Sequence, residues 1–267
     1  MPPARDAAYF DQWYADMAAS PVRDEIVAST LGLPAELAFA SILTWDGIAE
    51  VTAALRLAPD ALLLDIACGR GGYGIEVARR TSARLIGIDF STVALREARA
   101  NSARRVPSGT ADFRIGTLTS TGLASGSAQA VMCVDAVQFA EPPLAALHEF
   151  RRILAPAGRV ALTCWEASTL SDNRVPDNRV PDDGVPDDGV PARIRAVDLR
   201  RDLTEAGFTE VEVREMPEWR EAERALWEAA VVADPADPAV RSLQNEGRRS
   251  LATFGSLRRV FATATAP

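Results

Sequence analysis

Short apolar runs alternate along the middle of the chain with stretches in which apolar residues recur every three or four positions. The short runs predict strands that are buried on both faces, and the periodic stretches predict amphipathic helices. The predicted strands lie at residues 62–67, 84–89, 112–115, 130–134 and 159–165. Strands that alternate with helices indicate an α/β protein whose mostly parallel sheet is covered by helices on both faces.

The segments on either side of this core are predicted to be mainly helical. Near the N-terminus an apolar stripe falls on one helix face, at Tyr9, Phe10, Trp13, Tyr14 and Met17. Such a stripe fits either a helix packed on the core or a lid over a binding site. The later elements are predicted as a helix ending at Gly207, a strand at 210–215, a helical pair at 218–251 and a strand at 257–266.

Residues 168–191 break the alternating pattern. The pentapeptides DNRVP, DNRVP, DDGVP and DDGVP follow one another from Asp172. Regular prolines and many aspartates leave too few apolar side chains for a core, so we expect a disordered insertion beside the binding site.

The 267-residue chain carries a net charge of −8. A negatively charged surface repels phosphate backbones, so we expect no nucleic-acid partner. No apolar run approaches the roughly 20 residues that span a bilayer, and the first residues lack a signal-peptide layout. We therefore expect a cytoplasmic protein without a membrane segment. The three cysteines, Cys68, Cys133 and Cys164, have no metal-ligand spacing, and we predict no metal site.

The first predicted strand runs into a glycine-rich loop and then a helix, over residues 62–80. Glycines let the backbone turn sharply and approach a flat nucleoside, so the loop predicts a nucleotide-like ligand. The spacing from Gly69 to Gly74 also satisfies the dinucleotide pattern GxGxxG, with Asp89 ending the next strand. Asp65, however, would repel a pyrophosphate and attract the sulfonium and ammonium groups of S-adenosylmethionine. This cationic cofactor is therefore favoured over NAD.

The stretch Asp65-Ile66-Ala67-Cys68-Gly69-Arg70-Gly71 resembles the first motif of the class I S-adenosylmethionine-dependent methyltransferases. Four further segments follow in that family's order: LIGIDFS, DFRIGTL, AVMCVDAVQF and RILAPAGRVALTCW. The resemblance covers residues 58–215 and implies a Rossmann-like, seven-stranded, mostly parallel sheet with helices on both faces. It implies a cofactor-binding domain at 58–267, a helical lid at 1–57 and further lid helices toward the C-terminus.

By this resemblance, the methionine end of the cofactor would be held by Asp65 and by the backbone of Ala67 and Gly69, and Gly71 is a further cofactor-binding residue of the loop. Asp89 would accept hydrogen bonds from both ribose hydroxyls, a task that suits an ionised carboxylate.

Phe90 would flank the adenine. The family's third motif usually places an acid after a glycine to bind the adenine amino group, but here Gly116 is followed by Thr117 and Leu118. The backbone of Leu118 is therefore the expected contact for the adenine amino group. Trp45, at the start of a predicted helix, is a further candidate for contact with the cofactor.

Methyl transfer is an in-line displacement that requires alignment, and it needs a base only where the acceptor must lose a proton. Asp135 and Gln138 follow the fourth strand and are expected to face the methionine end and the acceptor. The candidate catalytic residues are Asp135, Glu166 and Tyr14. The only histidine, His148, lies on the helix before the fifth strand and is expected to be structural.

The sequence thus predicts an S-adenosylmethionine-dependent methyltransferase that acts on an O, N or C atom of a small molecule, such as a natural-product intermediate. Two alternatives stay open: a protein of this fold that binds the cofactor without methylating, and an NAD-dependent oxidoreductase. The oligomeric state is also open, and a homodimer is one option.

Overall fold

The structure is a computed structural model that describes residues 7–17, 20–34, 36–37, 41–168 and 189–267. The insertion predicted at 168–191 therefore lies outside the described residues except at its two ends.

Seven strands form one sheet in the order β3-β2-β1-β4-β5-β7-β6. They are β1 (Leu62–Ile66), β2 (Arg84–Asp89), β3 (Ala111–Ile115), β4 (Ala128–Val134), β5 (Leu154–Ala167), β6 (Thr209–Glu215) and β7 (Leu257–Thr265). The strands from β1 to β5 are parallel, and β7 runs antiparallel between β5 and β6. The predicted seven-stranded, mostly parallel sheet is confirmed.

One strand boundary differs clearly from the prediction. β5 begins at Leu154 rather than at residue 159, because Leu154 pairs with Ala128 across an irregularity in the β4–β5 register. The intervening Pro156 and Gly158 look like a turn in the sequence, and Ala157 indeed has a positive φ of 61°. Tertiary pairing with β4 therefore extends the strand through a segment of weak strand propensity.

Ten α-helices are described. They are α1 (Ala7–Asp16), α2 (Pro21–Leu31), α3 (Trp45–Leu55), α4 (Gly72–Thr81), α5 (Thr92–Arg105), α6 (Pro143–Ile153), α7 (Ala192–Arg195), α8 (Leu199–Glu205), α9 (Pro217–Val232) and α10 (Pro238–Thr253). The side chain of Ser91 accepts a hydrogen bond from the backbone N–H of Ala94 and so caps α5. Pro143 opens α6, since proline suits the first turn of a helix.

The helices cover both faces of the sheet, as predicted. One core cluster joins one face of the sheet to α2, α3, α4, α5, α9 and α10. The other cluster joins the opposite face to α6 and α8, through buried side chains such as Leu147, Phe150 and Leu203. The predicted C-terminal helical pair corresponds to α9 and α10, which pack against each other, while α2 packs on α9. None of the described helices is long and apolar enough to cross a bilayer.

The close packing of the sheet can be tested at Gly87 in β2. A β carbon there would lie 2.5 Å from Cδ1 of the buried Phe113 and 2.8 Å from Sγ of Cys68. We expect Gly87→Ala to lower the free energy of unfolding by about 1–3 kcal/mol, since overpacking displaces core side chains. Urea denaturation measures this loss. A matched control is Gly255→Ala, where a β carbon has no neighbour within 4 Å; equal losses in the two variants would contradict the prediction.

Candidate functional site

A cavity of about 320 Å³ opens at the carboxyl ends of β1, β2 and β4. Ligands of open α/β sheets bind at this edge, where the strand order reverses. The cavity is lined by Phe10, Tyr14, Ser41, Asp65, Ala67, Cys68, Tyr73, Ile88, Asp89, Phe90, Gly116, Thr117, Leu118, Thr119, Val134, Asp135, Ala136, Phe139, Ala140 and Glu141. Phe90 and Glu141 are exposed and mark its mouth.

The glycine-rich loop after β1 is tied to the end of β2. Ala67, Gly69 and Gly71 have φ values of 60°, 52° and 78°, so the chain turns in the left-handed region that glycine adopts without strain. The N–H of Gly69 donates to Oδ2 of Asp89 at 2.8 Å. Ala67 lines the cavity, whereas Gly69 and Gly71 shape the loop behind it. Contact between these two glycines and the cofactor stays a prediction.

Asp65 lines the cavity at the end of β1 and is only 3% exposed. Burial, together with the charge of Asp89, raises the pKa of its carboxyl to about 8, and the backbone N–H of Gly74 partly offsets this rise. A β carbon at Gly74 would lie 2.4 Å from Oδ2 of Asp65. Glycine at this position is therefore required for the carboxylate to lie against the start of α4.

Asp89 lines the same cavity from the end of β2. Its Oδ2 accepts the Gly69 bond, and its Oδ1 accepts from the N–H of Ser91 at 2.9 Å. The remaining lone pairs of the carboxylate are available to a ligand. The predicted third-motif residues, Gly116, Thr117 and Leu118, line the cavity next to Asp89, as does Phe90.

Asp135 follows β4 with a positive φ of 56°, and its carboxylate is surrounded by donors. Arg259 of β7 forms an ion pair with it: Nη2 donates to Oδ2 at 2.7 Å, and Nη1 lies 2.6 Å from Oδ1. The hydroxyls of Thr163 and Ser41 donate to Oδ1 at 2.7 Å and Oδ2 at 2.6 Å. The backbone N–H of Ile42 also approaches Oδ2, at 3.3 Å. Asp135 is thus held in an ion pair and several hydrogen bonds, and its action as a base stays a prediction.

Arg259 is fully buried and connects distant parts of the chain. Besides Asp135, it donates to the carbonyl of Ile42 at 2.7 Å and lies 3.7 Å from the carboxylate of Glu223 on α9. Glu223 accepts a hydrogen bond from the indole of Trp227, and burial raises its pKa to about 7. Sequence reasoning missed Arg259, although an arginine within an apolar strand calls for a buried acidic partner.

The other two candidate bases, Glu166 and Tyr14, lie in different surroundings. Glu166 does not line the cavity: its two oxygens accept from the N–H of Leu199 at 2.8 Å and from Arg258 at 2.7 Å. Tyr14 does line it, but burial and the charge of Asp89 raise the pKa of its phenol well above the ordinary value. Tyr14 is therefore present as a phenol and can donate a hydrogen bond rather than take a proton.

Three further predictions concern residues outside the cavity. The side-chain amide of Gln138 donates to the backbone carbonyl of Asp135 at 2.7 Å, so Gln138 shapes the turn after β4. The Trp45 ring lies 4.3 Å from the guanidinium of Arg80 and is not among the residues that line the cavity, so nothing in the structure supports its predicted cofactor contact. His148 is exposed on α6 and does not line the cavity. Within the described part of the chain, no cluster of His, Cys, Asp and Glu could hold a metal ion.

Helix α1 crosses the cavity and brings aromatic side chains to it. The Phe10 ring lies 5.6 Å from that of Phe90 and 5.7 Å from that of Phe139, both edge-to-face. The helix and the residue after it are joined to the rest of the protein by Asp11 with Ser91, Met17 with Arg70 and Asp16 with Ser242. The placement of α1 agrees with a lid, which stays a prediction.

Comparison with known proteins shows which family part of this chain matches. Residues 63–158 match the family model described as a methyltransferase domain. A curated O-methyltransferase from Pyrenophora dematioidea is 27% identical over 163 residues, which make up 61% of this chain and 60% of that protein. The match thus spans less than two thirds of the relative's length.

Several solved structures share the fold. A phosphoethanolamine N-methyltransferase from Haemonchus contortus is 18% identical, with a TM-score of 0.70 over 100% of this chain and 61% of that one. A geranyl diphosphate C-methyltransferase from Streptomyces coelicolor is 17% identical, with a TM-score of 0.66 over 100% of both chains. The cyclase SpnF is 20% identical, with a TM-score of 0.65 over 100% of this chain and 98% of that one. At these identities the structures show a common fold.

The buried acids predict a particular pH dependence of stability. The pKa values of Glu223 and Asp65, about 7 and about 8, exceed the ordinary values of 4.5 and 3.8. The folded protein therefore binds more protons than the unfolded chain, and the free energy of unfolding should fall as pH rises from about 5 to about 8.

Urea denaturation at several pH values tests this expectation. In Glu223→Gln, the free energy of unfolding should fall less steeply with pH below pH 7. In Glu218→Gln, at an exposed site on the same helix, its pH dependence should be unchanged. A free energy of unfolding that rises with pH across this window would contradict the assignment.

Proposed function

We propose that this chain, a member of the class I S-adenosylmethionine-dependent methyltransferase family, transfers a methyl group from S-adenosylmethionine to a small molecule. The relatives named above support a small acceptor, since their names refer to phosphoethanolamine and geranyl diphosphate. We further propose a natural-product intermediate as the acceptor.

The observation that carries the proposal is the pair of buried acids, Asp65 and Asp89, in a cavity without basic lining residues in the described parts of the chain. Asp65 needs a positive charge nearby to be ionised at neutral pH, and a sulfonium with an ammonium group supplies it. The pyrophosphate of NAD would instead add negative charge. The antiparallel β7 between β5 and β6 also differs from the strand order 3-2-1-4-5-6 of dinucleotide-binding domains.

The cavity residues suit the parts of this cofactor in turn. Asp65 and the backbone at Ala67 would hold the methionine end, and Asp89 would accept from the ribose hydroxyls. Phe90 and the backbone of Leu118 would contact the adenine. When bound, the cofactor supplies the activated methyl group, so the protein's task is to align the acceptor and exclude water.

A second candidate function is cofactor binding without methyl transfer. It is favoured by the absence of histidine and lysine, two common general bases, among the described lining residues. The fold match with SpnF, a cyclase, over nearly all of both chains also favours it. Turnover distinguishes the two candidates: methylated product from any acceptor in a screen of amines, phenols and activated carbons supports the first.

The cofactor can be tested by calorimetric titration with S-adenosylhomocysteine. We expect Asp89→Ala to weaken binding roughly 10- to 100-fold, because charged hydrogen bonds contribute about 1.5–3 kcal/mol. Asp112→Ala, which removes an exposed acid on the neighbouring strand, should bind normally. Tight binding of NAD, or full affinity in Asp89→Ala, would overturn the proposed cofactor.

Protonation of Asp65 gives an independent test. Since the pKa of its free carboxyl is about 8, a cationic ligand must displace the proton, and affinity for S-adenosylmethionine should rise with pH and level off above about 8. Near pH 7, titrations in buffers of different ionisation enthalpy should show release of about one proton per cofactor. Asp65→Asn should abolish this release. Equal proton release in the variant would show that another group titrates.

A further inference from the structure

One guanidinium nitrogen of Arg259 faces two largely buried carboxylates. Its Nη1 is 2.6 Å from Oδ1 of Asp135 and 3.7 Å from Oε2 of Glu223. Within the described parts of the chain, neither Nη1 nor Oε2 has an aligned hydrogen-bond partner. Asp135 lines the cavity, whereas Glu223 and Arg259 do not. Two acids therefore share one cation, and only Asp135 adjoins the space that a ligand would occupy.

The charges of this cluster do not cancel when both acids are ionised. Two carboxylates and one guanidinium leave one negative charge, and Arg259 and Glu223 are only 0% and 4% exposed. An uncompensated charge is unfavourable in the interior, so one proton on either acid restores neutrality. Burial and the charge of Asp135 raise the pKa of Glu223 to about 7, although Arg259 and two indoles offset part of the rise. Near neutral pH, Glu223 is thus an acid that can hold or release the shared proton.

The other charged and buried polar side chains around α9 bind elsewhere. On α9 itself, Arg220 donates to backbone carbonyls at and just before the start of β7, and Arg224 pairs with two exposed glutamates. Helices α2 and α10 also pack on α9, and their buried polar side chains are Arg23 and Gln244. Arg23 pairs with Asp24, and Gln244 donates to carbonyls at the C-terminal end of α9.

Two uncharged groups complete the surroundings of Glu223. The indole of Trp227 donates to its Oε1 at 3.1 Å. The phenol of Tyr73 on α4 is within range of the charges of Asp135, Arg259 and Glu223, and burial raises its pKa well above the ordinary value, so it stays neutral. Among the described residues, Arg259 is therefore the cation that balances both acids.

We propose, building on the methyltransferase function above and on Asp135 as its base, that Glu223 controls proton uptake by Asp135 through their shared guanidinium. While Glu223 holds a proton, the cluster is neutral, and a second proton on Asp135 would create a buried positive charge. Once Glu223 is ionised, the cluster carries one negative charge, and a proton taken up by Asp135 restores neutrality. Glu223 does not line the cavity, so it is a positioning residue that acts through Arg259.

The proton has a defined path in this scheme. The O–H or N–H bond of the acceptor breaks, and its proton moves to a carboxylate oxygen of Asp135. The electron pair stays on the acceptor atom, which forms the new bond to the methyl carbon as the carbon–sulfur bond breaks. The proton passes from Asp135 to water when the product leaves, and the ionised pair is restored.

Carbon NMR tests the sharing of the proton without turnover. The side-chain carboxyl carbons of Asp and Glu are isotopically labelled, assigned through their bonds to the backbone, and titrated between about pH 5 and about pH 9. We expect the Glu223 signal to titrate near pH 7 and the Asp135 signal to move over the same range, because coupled acids titrate as a pair. This movement should disappear in Glu223→Gln and persist in Glu218→Gln, at an exposed site of α9. An Asp135 signal that does not respond to the titration of Glu223 would overturn the proposal.

The pH dependence of turnover tests the role of Glu223 in catalysis. With a phenol or an amine from the acceptor screen, kcat of the unchanged enzyme should rise with pH around pH 7. In Glu223→Gln, whose neutral side chain still accepts from Trp227, this rise should vanish, and kcat above about pH 8 should be about 10- to 100-fold lower. KM for S-adenosylmethionine should be unchanged. A residue with a purely structural role would lower kcat by the same factor at every pH, and that result would contradict the proposal.

Two further outcomes separate this proposal from the function on which it rests. Failure to bind S-adenosylhomocysteine, or to methylate any acceptor, would count against the proposed function, and the NMR titration would still decide whether the acids share a proton. If Glu223→Gln does not fold, the NMR titration of the unchanged protein decides the same point by itself.

Discussion

The buried ion pair between Arg259 and Asp135 is the interaction on which the architecture of the site depends. Removing one partner of such a pair typically costs about 3–5 kcal/mol, because the other charge is left without compensation in the interior. Here the guanidinium also holds the carbonyl of Ile42 and faces Glu223. One cation therefore positions the end of β4, the segment before α3 and the start of the C-terminal helical pair at the same time.

The segment before α3, which covers part of the cavity, is held in place by polar contacts as well as by packing. The Tyr73 hydroxyl donates to the carbonyl of Ser41 and accepts from the N–H of Leu43 at 3.1 Å, while Ser41 binds Asp135. These contacts join the segment before α3 to both the glycine-loop helix and the ion pair. A substitution in the C-terminal strand β7 would therefore displace residues that line the cavity, because the contacts that connect them are short and direct. These residues are nevertheless far apart in sequence.

The sheet could be predicted from the sequence because apolar runs and glycine positions are local signals. The same holds for Asp65 and Asp89, whose places at strand ends follow from the pattern alone. The roles of Glu166 and Asp135 could not be predicted, since their partners Arg258 and Arg259 come from β7, near the C-terminal end of the sequence. Neither could the contacts of Phe10 with Phe90 and Phe139, which need α1 to lie beside the turn after β4. Partner identity in a buried polar network is a tertiary property that no local pattern encodes.

The position of β7 within the sheet determines which part of this protein can fold on its own. The segment that matches the methyltransferase-domain model, residues 63–158, contains the glycine loop and the cavity-lining acids Asp65 and Asp89. It ends inside β5 and lacks Arg259, which lies 124 positions beyond Asp135. Expressed alone, that segment would leave Asp135 without its counter-charge and β4 with only the first residues of its β5 partner. Recognisable motifs and autonomous folding are therefore separate here: the motif-bearing part depends for its shape on a strand that carries none of the motifs.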